Sequence, residues 1–153
     1  MRRPYIFRLE ENNAIVRKVI EAFNKRNLAL VDELTAPDFV EHTHLYKGRE
    51  AHKQFLEMHI RGLPDFNMGI EDMIAEGDNV WVLFKVTGTH TGEFLGLAPT
   101  GKKTTFASVQ IFRIVDGKLA ECRAVSDSVE FRRQLGVIEY TEKTKKLFPQ
   151  NIT

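Results

Sequence analysis

Residues 80–118 read VWVLFKVTGTHTGEFLGLAPTGKKTTFASVQIFRIVDGK, and this stretch decides the fold class. The segments on either side of a central loop, 88–101, are rich in β-branched and aromatic residues, which predicts a strand on each side. The loop itself carries four glycines and one histidine. Asp116-Gly117 is typical of a tight turn, so a further strand over 118–126 returns beside its predecessor. Together these signals favour an antiparallel sheet.

The N-terminal part of the chain has the spacing of helices. Apolar side chains recur every three or four residues, which predicts a first helix capped by Asn12 or Asn13, a second over 28–34 and a third over 48–63. Beyond the third helix the apolar period changes to two, as in strands. Helices followed by hairpin-linked strands predict an α+β fold. We expect a curved, mainly antiparallel sheet wrapped against three N-terminal helices, cone-shaped with a central pocket.

Composition limits the classes of function. The 153 residues fit a single domain over 1–153, with its core over about 12–137 and a polar C-terminal tail over 138–153. Lysine and arginine total 22 against 21 acidic residues, which gives no electrostatic reason to expect a nucleic acid or a membrane surface as partner. The apolar runs are too short for a membrane span, and residues 1–8 lack the apolar segment of a secretory signal, so a cytoplasmic location is expected. A single cysteine, Cys122, excludes an internal disulfide.

Asp127 is the candidate acid/base group. We expect Glu121, Arg123 and Asp127 to share the inward face of the last strand, where apolar surroundings raise the pKa of a carboxyl group towards neutrality. The alternative is structural. Glu130 follows Asp127 by three residues, which is the spacing of a helix-capping pair, and a short helix is predicted over 128–134. The two roles compete for the same carboxylate oxygens.

The five histidines support fewer roles than their number suggests. His42 and His44 would point the same way on an extended segment, but no third ligand has suitable spacing, so we predict no metal site. His42 is instead a candidate acid/base group or hydrogen-bond donor. His90 lies in the glycine-rich loop, where binding groups are common. A structural role is the alternative for both. His52 and His59, seven residues apart on the third helix, are expected to face solvent.

The residues that would line the pocket are mostly aromatic. Eleven phenylalanines are many for a chain of this length. Most fill the core, but any that point inward would contact a flat apolar ligand. The candidates for contact with a small-molecule substrate are Trp81, Phe94, Phe106, Gln110, Arg123, Phe55 and Met58.

Several short motifs follow one another along the chain. They are Asp38-Phe39-Val40-Glu41-His42, Gly48-Arg49-Glu50, Leu63-Pro64-Asp65, Glu76-Gly77-Asp78-Asn79-Val80, Gly88-Thr89-His90-Thr91-Gly92-Glu93-Phe94, Pro99-Thr100-Gly101-Lys102, Asp116-Gly117-Lys118-Leu119, Asp127 and Gln134-Leu135-Gly136. Their order and spacing, over about residues 12–137, resemble those of the SnoaL-like polyketide cyclase family. That family has the nuclear-transport-factor-like cone fold, which agrees with the fold predicted from periodicity.

The resemblance implies an enzyme that closes a ring of a polyketide by intramolecular aldol condensation, without metal or organic cofactor. It implies that Asp127 is the acid/base residue, and it places the pocket histidines of the family on His42 and His90. It also implies a homodimer that pairs through the sheet face. The sequence departs from the family at 122–125, which reads CRAV where a bulky aromatic is common. An inward Arg123 would suit an anionic or strongly polar substrate.

Two other functions stay open. A hydrolase or dehydratase on the same cone, similar to limonene-epoxide hydrolase or scytalone dehydratase, would need a second polar group across the pocket from Asp127. Glu41, Gln110 or Arg123 could serve. A non-catalytic module for small-ligand binding or dimerisation would instead have its pocket filled by its own phenylalanines. Exposed apolar residues on the outer face of the sheet would indicate a dimer.

Overall fold

A computed structural model describes residues 4–147, and five helices and six strands lie in this part of the chain. All six strands form one curved sheet in the order β2-β1-β6-β5-β4-β3, in which β1 and β6 are parallel and the other neighbours are antiparallel. The predicted α+β class, with a mainly antiparallel sheet and three N-terminal helices, is confirmed. The elements are α1 (Tyr5–Asn24), α2 (Leu28–Leu34), β1 (Thr35–Glu41), β2 (Tyr46–Lys47), α3 (Arg49–Gly62), β3 (Asn67–Glu76), β4 (Asn79–Thr89), β5 (Lys103–Val115), β6 (Lys118–Ser126), α4 (Ser128–Leu135) and α5 (Glu142–Leu147).

The core lies between the helices and one face of the sheet. Side chains along β4 alternate between buried and exposed, as expected for a strand with one covered face. We call the covered side the inner face and the other side the outer face. The inner face of β4 carries Val80, Val82, Phe84 and Val86, and α1 packs onto the sheet with Val16, Val19, Ile20 and Phe23. None of the helices described is long and apolar enough to span a membrane.

A bulge reverses the orientation of β6 relative to the sequence prediction. Ala120 is an extra residue in β6 where that strand pairs with β5. Because side chains alternate along a strand, one extra residue changes which of them point inward. Leu119 is buried before the bulge and Cys122 is buried after it. Glu121 and Arg123 therefore lie on the outer face, and the prediction that they point inward is wrong.

The start of α1 also differs from the prediction. The helix begins at Tyr5, directly after Pro4, so the prediction that Asn12 or Asn13 caps it is wrong. Proline suits a helix start because the first amide groups have no partner within the helix. Asn12 is instead buried, and its Nδ2 donates to the carbonyl of Gly77 in the turn between β3 and β4, at 3.3 Å.

The ends of the chain are described only in part. α5 lies within the predicted polar tail. Residues 148–153 of that tail lie outside the described residues. Residues 1–3, which begin the segment that we predicted not to be a secretory signal, also lie outside them. The division of the chain into one domain stays a prediction.

The glycine-rich loop is attached to the end of α3. The amide of Gly92 donates to the carbonyl of Gly62, at 3.0 Å. A Cβ atom at Gly92 would lie 1.9 Å from the carbonyl oxygen of Arg61, so only glycine fits this approach of two backbones. This contact holds His90 and Phe94 against α3, and it thereby positions two of the predicted site residues.

Candidate functional site

Aromatic and imidazole rings contact one another in a continuous chain between α3, α4 and the inner face of the sheet. We call this set the ring cluster. The centroids of neighbouring rings lie 4.4 to 6.5 Å apart in tilted, stacked or edge-to-face arrangements. Three predicted lining residues, Phe55, Phe94 and Phe106, belong to it. Its members are Phe23, Phe39, His44, Tyr46, His52, Phe55, His59, Phe66, His90, Phe94, Phe106 and Phe131.

His52 packs against the sheet, so the prediction that it faces solvent is wrong. Its ring centroid lies 4.4 Å from that of Phe39, and its Nδ1 lies 2.8 Å from the hydroxyl of Tyr46. Burial lowers the pKa of His52 to about 4 and raises the pKa of Tyr46 above its ordinary value. Both groups are therefore uncharged at neutral pH. Positions 52, 55 and 59 share one helix face, and this spacing was the signal available in the sequence.

We expect His52 to make the protein less stable as the pH falls from 7.5 to 5. Its pKa is about 4 in the folded state against 6.5 ordinarily, so the unfolded state binds the proton first. Stability that is present above pH 6.5 is then lost progressively towards pH 4. At pH 5 the loss is about 2 kcal/mol. Urea unfolding at both pH values should show a smaller loss in His52→Phe than in the wild type, and an equal loss would contradict the assignment.

His59 also faces the interior, contrary to prediction. Its Nδ1 lies 2.9 Å from the carbonyl oxygen of Phe55. Because a carbonyl only accepts, Nδ1 carries the proton and Nε2 carries the lone pair. Burial lowers the pKa of His59, which keeps this ring neutral at pH 7. Within residues 4–147 the Nε2 atom has no hydrogen-bond partner, so it presents a free acceptor.

His90 is fully buried and presents the opposite group. Its Nδ1 accepts the amide N–H of Thr100 at 3.3 Å and lies 3.0 Å from the hydroxyl of the same residue. Since an amide N–H only donates, the proton of the neutral ring is on Nε2. This buried Nε2 has no partner among the described residues. An unpaired buried donor costs about 1–3 kcal/mol, so it indicates a role other than stability.

Asp127 begins α4 and is exposed. Its Oδ1 accepts the amide N–H of Glu130 at 3.1 Å, and its own amide donates to the carbonyl of Ala107 at 2.9 Å. This is the capping role that the spacing predicted as the alternative. The carboxylate of Glu130 is bound by Arg133 and does not return to the cap, so the capping is one-sided. The second oxygen of Asp127, Oδ2, makes no hydrogen bond to the described part of the chain.

The three predicted catalytic residues each have different partners. His42 is half-buried, and its Nε2 lies 2.7 Å from Oε2 of Glu121. The other oxygen of that carboxylate, Oε1, accepts from Arg113 at 2.5 Å. The hydrogen bonds from His42 and Arg113 lower the pKa of Glu121. No hydrogen bond or ring contact within 4–147 joins any two of His42, His90 and Asp127.

Glu41 is a buried carboxylate that binds its own turn. It accepts the amide groups of Thr43, at 3.0 Å, and of His44, and it lies 3.0 Å from Nδ1 of His44. The ring of His44 packs on Phe55. Sequence reasoning named Glu41 only as a possible second polar group and did not foresee this pair. Among residues 4–147, no group of three or more His, Cys, Asp or Glu side chains could hold a metal ion.

The remaining predicted lining residues are divided between the two faces of the sheet. Gln110 lies on the inner face, where its Oε1 is 3.9 Å from the thiol of Cys122. Met58 is half-buried and packs against the core. Trp81 is 48% exposed and shares the outer face with Arg123. The sheet thus separates Trp81 and Arg123 from the ring cluster.

A cavity of about 380 Å³ opens at the surface near the C-terminal end of α4. No predicted site residue lines it. Its lining residues are Lys102, Arg133, Gly136, Ile138, Glu139, Tyr140 and Lys145.

Curated proteins of similar sequence are cyclases by name. Nogalonic acid methyl ester cyclase of Streptomyces nogalater is 30% identical over 125 residues, which covers 77% of this chain and 92% of that protein. Aklanonic acid methyl ester cyclase DauD of Streptomyces sp. strain C5 is 27% identical over 129 residues, which covers 80% of each chain.

Solved structures of similar fold include AclR of Streptomyces galilaeus, for which a hydroxylase activity has been suggested. It superposes with a TM-score of 0.80 at 26% identity, over 91% of this chain and 90% of AclR. IdmH of Streptomyces antibioticus, a suggested polyketide cyclase, superposes with a TM-score of 0.71 at 29% identity, over 82% and 98%. The sequence profile described as SnoaL-like polyketide cyclase matches residues 13–135. This match covers most of the chain and confirms the predicted family: the protein belongs to the SnoaL-like polyketide cyclases.

Proposed function

We propose that the protein is a cofactor-independent cyclase, which closes a ring in a polyketide-like carbonyl compound by acid/base proton transfer inside the fold. The relatives named as methyl ester cyclases support this over most of their length. The ring cluster supports it with an interior that is largely aromatic. The observation that carries the proposal is the Nε2–H group of His90, which is buried and has no hydrogen-bond partner among residues 4–147.

The proposed reaction is an intramolecular aldol closure. A base removes a proton from a carbon next to a carbonyl, the resulting enolate attacks a second carbonyl, and the new alkoxide takes up a proton, so the mass does not change. Asp127 is the predicted base, and its free Oδ2 is the proposed acceptor. The Nε2–H of His90 donates to the enolate oxygen, which is more effective in a water-poor site than in water. His42 is the less supported donor because it is bound to Glu121.

A non-catalytic small-ligand-binding or dimerisation module is the second candidate. Two observations favour it: the ring cluster occupies the interior, and Asp127 is an exposed helix cap. A hydrolase or dehydratase has less support. Of its candidate second polar groups, Glu41 binds its own turn and Arg123 lies on the outer face, which leaves Gln110.

Conversion of a polyketide methyl ester tests the proposal. The purified protein is incubated with nogalonic acid methyl ester and with aklanonic acid methyl ester, and the products are separated by liquid chromatography and weighed by mass spectrometry. A cyclase yields a product of unchanged mass and new retention time. The product should form faster with the native protein than with the heat-denatured control. Binding without conversion would favour the non-catalytic module. Absence of both would contradict each candidate for these compounds. The expected cytoplasmic location stays a prediction.

We propose further that two copies of the chain pair through the outer face. Large apolar side chains are exposed there on adjacent strands: Ile74 lies opposite Trp81, and Leu83 lies on the next row of the same face. Val125 on β6 extends the patch and is 75% exposed. Contiguous apolar surface of this kind is typical of protein interfaces, and a second copy presents the same surface.

Replacing Trp81 with lysine is expected to produce a monomer. Light scattering should give about twice the chain mass of 17.6 kDa for the wild type and the single mass for Trp81→Lys. Trp81 is the only tryptophan, so dilution of the wild type should also shift its fluorescence to longer wavelength as the interface opens. Leu147→Lys, which changes another exposed apolar residue but lies on α5, should leave the mass unchanged. A wild type that is monomeric at high concentration contradicts the pairing.

A further inference from the structure

We propose that His59 and His90 form a paired binding site inside the fold, which recognises a planar compound by one hydroxyl group and one carbonyl group. This rests on the proposed function and names the chemistry of its substrate. Nε2 of His59 accepts from the hydroxyl, and Nε2–H of His90 donates to the carbonyl. A binding role was not expected for His59, because the sequence predicted that this residue faces solvent on α3.

The tautomer of each ring is fixed by its other nitrogen. Nδ1 of His59 is held as a donor by the carbonyl of Phe55, at 2.9 Å, and Nδ1 of His90 is held as an acceptor by the amide of Thr100, at 3.3 Å. The two Nε2 atoms therefore present a lone pair and an N–H group respectively. One site with one acceptor and one donor distinguishes a hydroxyl-bearing carbonyl compound from a simple ketone.

Both imidazoles contact the same phenyl ring. The centroid of Phe94 lies 5.2 Å from that of His59 and 6.5 Å from that of His90, each at a steep angle between ring planes. A planar ligand beside Phe94 thus has a polar group of each kind within the same part of the interior. Phe131 of α4 also contacts Phe94, with centroids 6.0 Å apart.

The two Nε2 atoms are not equally covered. That of His90 is fully buried without a partner, whereas that of His59, also without a partner among the residues described, is not fully covered by protein atoms. A ligand that hydrogen-bonds to both atoms would therefore give the Nε2–H group of His90 the partner that it lacks among the described residues. Hydrogen bonding a buried donor that otherwise lacks a partner recovers free energy that was lost on desolvation.

The other histidines are less suited to this role. His42 and His44 each have a carboxylate partner, at 2.7 and 3.0 Å, and Nδ1 of His52 lies 2.8 Å from the hydroxyl of Tyr46. His44 is the nearest rival because its ring also contacts Phe55. A test must therefore separate His59 from His44.

The test measures binding of three probes to the whole protein by NMR titration. The first is 4-hydroxyacetophenone, which has a hydroxyl and a carbonyl. The second is 4-methoxyacetophenone, which lacks the hydroxyl donor. The third is 4-ethylphenol, which lacks the carbonyl. We expect the wild type to bind the first probe at least about tenfold more tightly than either of the others.

Variants show which histidine reads which group. In His59→Phe the preference for hydroxyl over methoxy should disappear, and in His90→Phe the preference for the carbonyl should disappear. His44→Gln and the surface control Glu57→Gln should keep both preferences. Equal weakening of all three probes in His59→Phe would mean altered packing only and would overturn the proposal, as would loss of the hydroxyl preference in His44→Gln.

If the variants do not fold, binding of the three probes to the wild type is sufficient to test the proposal. No preference among the probes, or no binding, overturns the proposal, and so does a probe that leaves the ¹⁵N signals of His59 unchanged. These results do not depend on turnover. Selective binding without ring closure would contradict the proposed cyclase and keep the paired site, whereas ring closure without selectivity would do the reverse.

Discussion

Replacing Gly92 with alanine is expected to destabilise the folded state by at least about 4 kcal/mol, which for a chain of this size means a largely unfolded protein. The added Cβ would lie 1.9 Å from the carbonyl oxygen of Arg61 and 2.9 Å from its carbon. Both obstacles are backbone atoms and neither can rotate away. The hydrogen bond from Gly92 to Gly62 fixes the loop at the same point. Urea unfolding followed by circular dichroism measures the loss.

Gly96→Ala is the matched control in the same loop. Nothing lies within 4 Å of a Cβ atom at Gly96, and its φ of +79° makes alanine strained by about 1–2 kcal/mol. The difference between the two variants isolates the collision at Gly92 from the general cost of losing a glycine. Equal unfolding midpoints would show that the loop moves away from α3 without cost, and the attachment of His90 and Phe94 would then need another explanation.

Much of the fold was predictable because its signals are local. The bounds of α2, the extent of α3 and the strand after Asp116-Gly117 agree with the sequence, since helical spacing and turn residues act over a few positions. Capping by Asp127 was also predictable, because a carboxylate at a helix start is a local device. The family was predictable from motifs in order, most of which mark a turn or an end of a strand or helix.

The orientation of β6 was not predictable from its own residues. Leu119 and Val125 are apolar and separated by an even number of positions, which favours one face for both, yet Val125 is 75% exposed. The extra residue at Ala120 has no turn or glycine signal. The same part of β6 also pairs with β1, whose register shifts between Thr35 and Val40, so the orientation of β6 involves two neighbouring strands. The prediction that Arg123 points inward was wrong for this reason.

The state of the histidines depends on distant partners. His59 is bound by Phe55 on its own helix, which the spacing could have suggested, but its contact with Phe94 spans the chain. The tautomer of His90, with its proton on Nε2, follows from the placement of Thr100 by the loop. Sequence reasoning selected His90 as a candidate and could not assign its tautomer, because that assignment needs the partner of each nitrogen.

Replacing Asp127 with asparagine is expected to lower cyclase turnover by about 10²–10⁴-fold while leaving the unfolding midpoint unchanged. Asparagine caps a helix as well as aspartate does, so the hydrogen bond from the amide of Glu130 persists. It cannot accept a proton from a carbon acid. The proposed base and the observed cap use different oxygens of the same side chain, and this substitution separates them. Rate measurements on a polyketide methyl ester and urea unfolding of the same preparation give both quantities.

Two further variants distinguish the role of Asp127 as a base from its role as a helix cap. Asp127→Ala should lose turnover to the same extent and also about 1 kcal/mol of stability, because it removes the cap together with the base. Asp116→Asn makes the same chemical change in a turn at the other end of β6, with a φ of 49° that asparagine tolerates, and should leave both quantities unchanged. If Asp127→Asn keeps the turnover of the wild type while Asp127→Ala loses only stability, Asp127 is a cap alone. The base would then have to lie in the ring cluster, where Nε2 of His59 is the free acceptor.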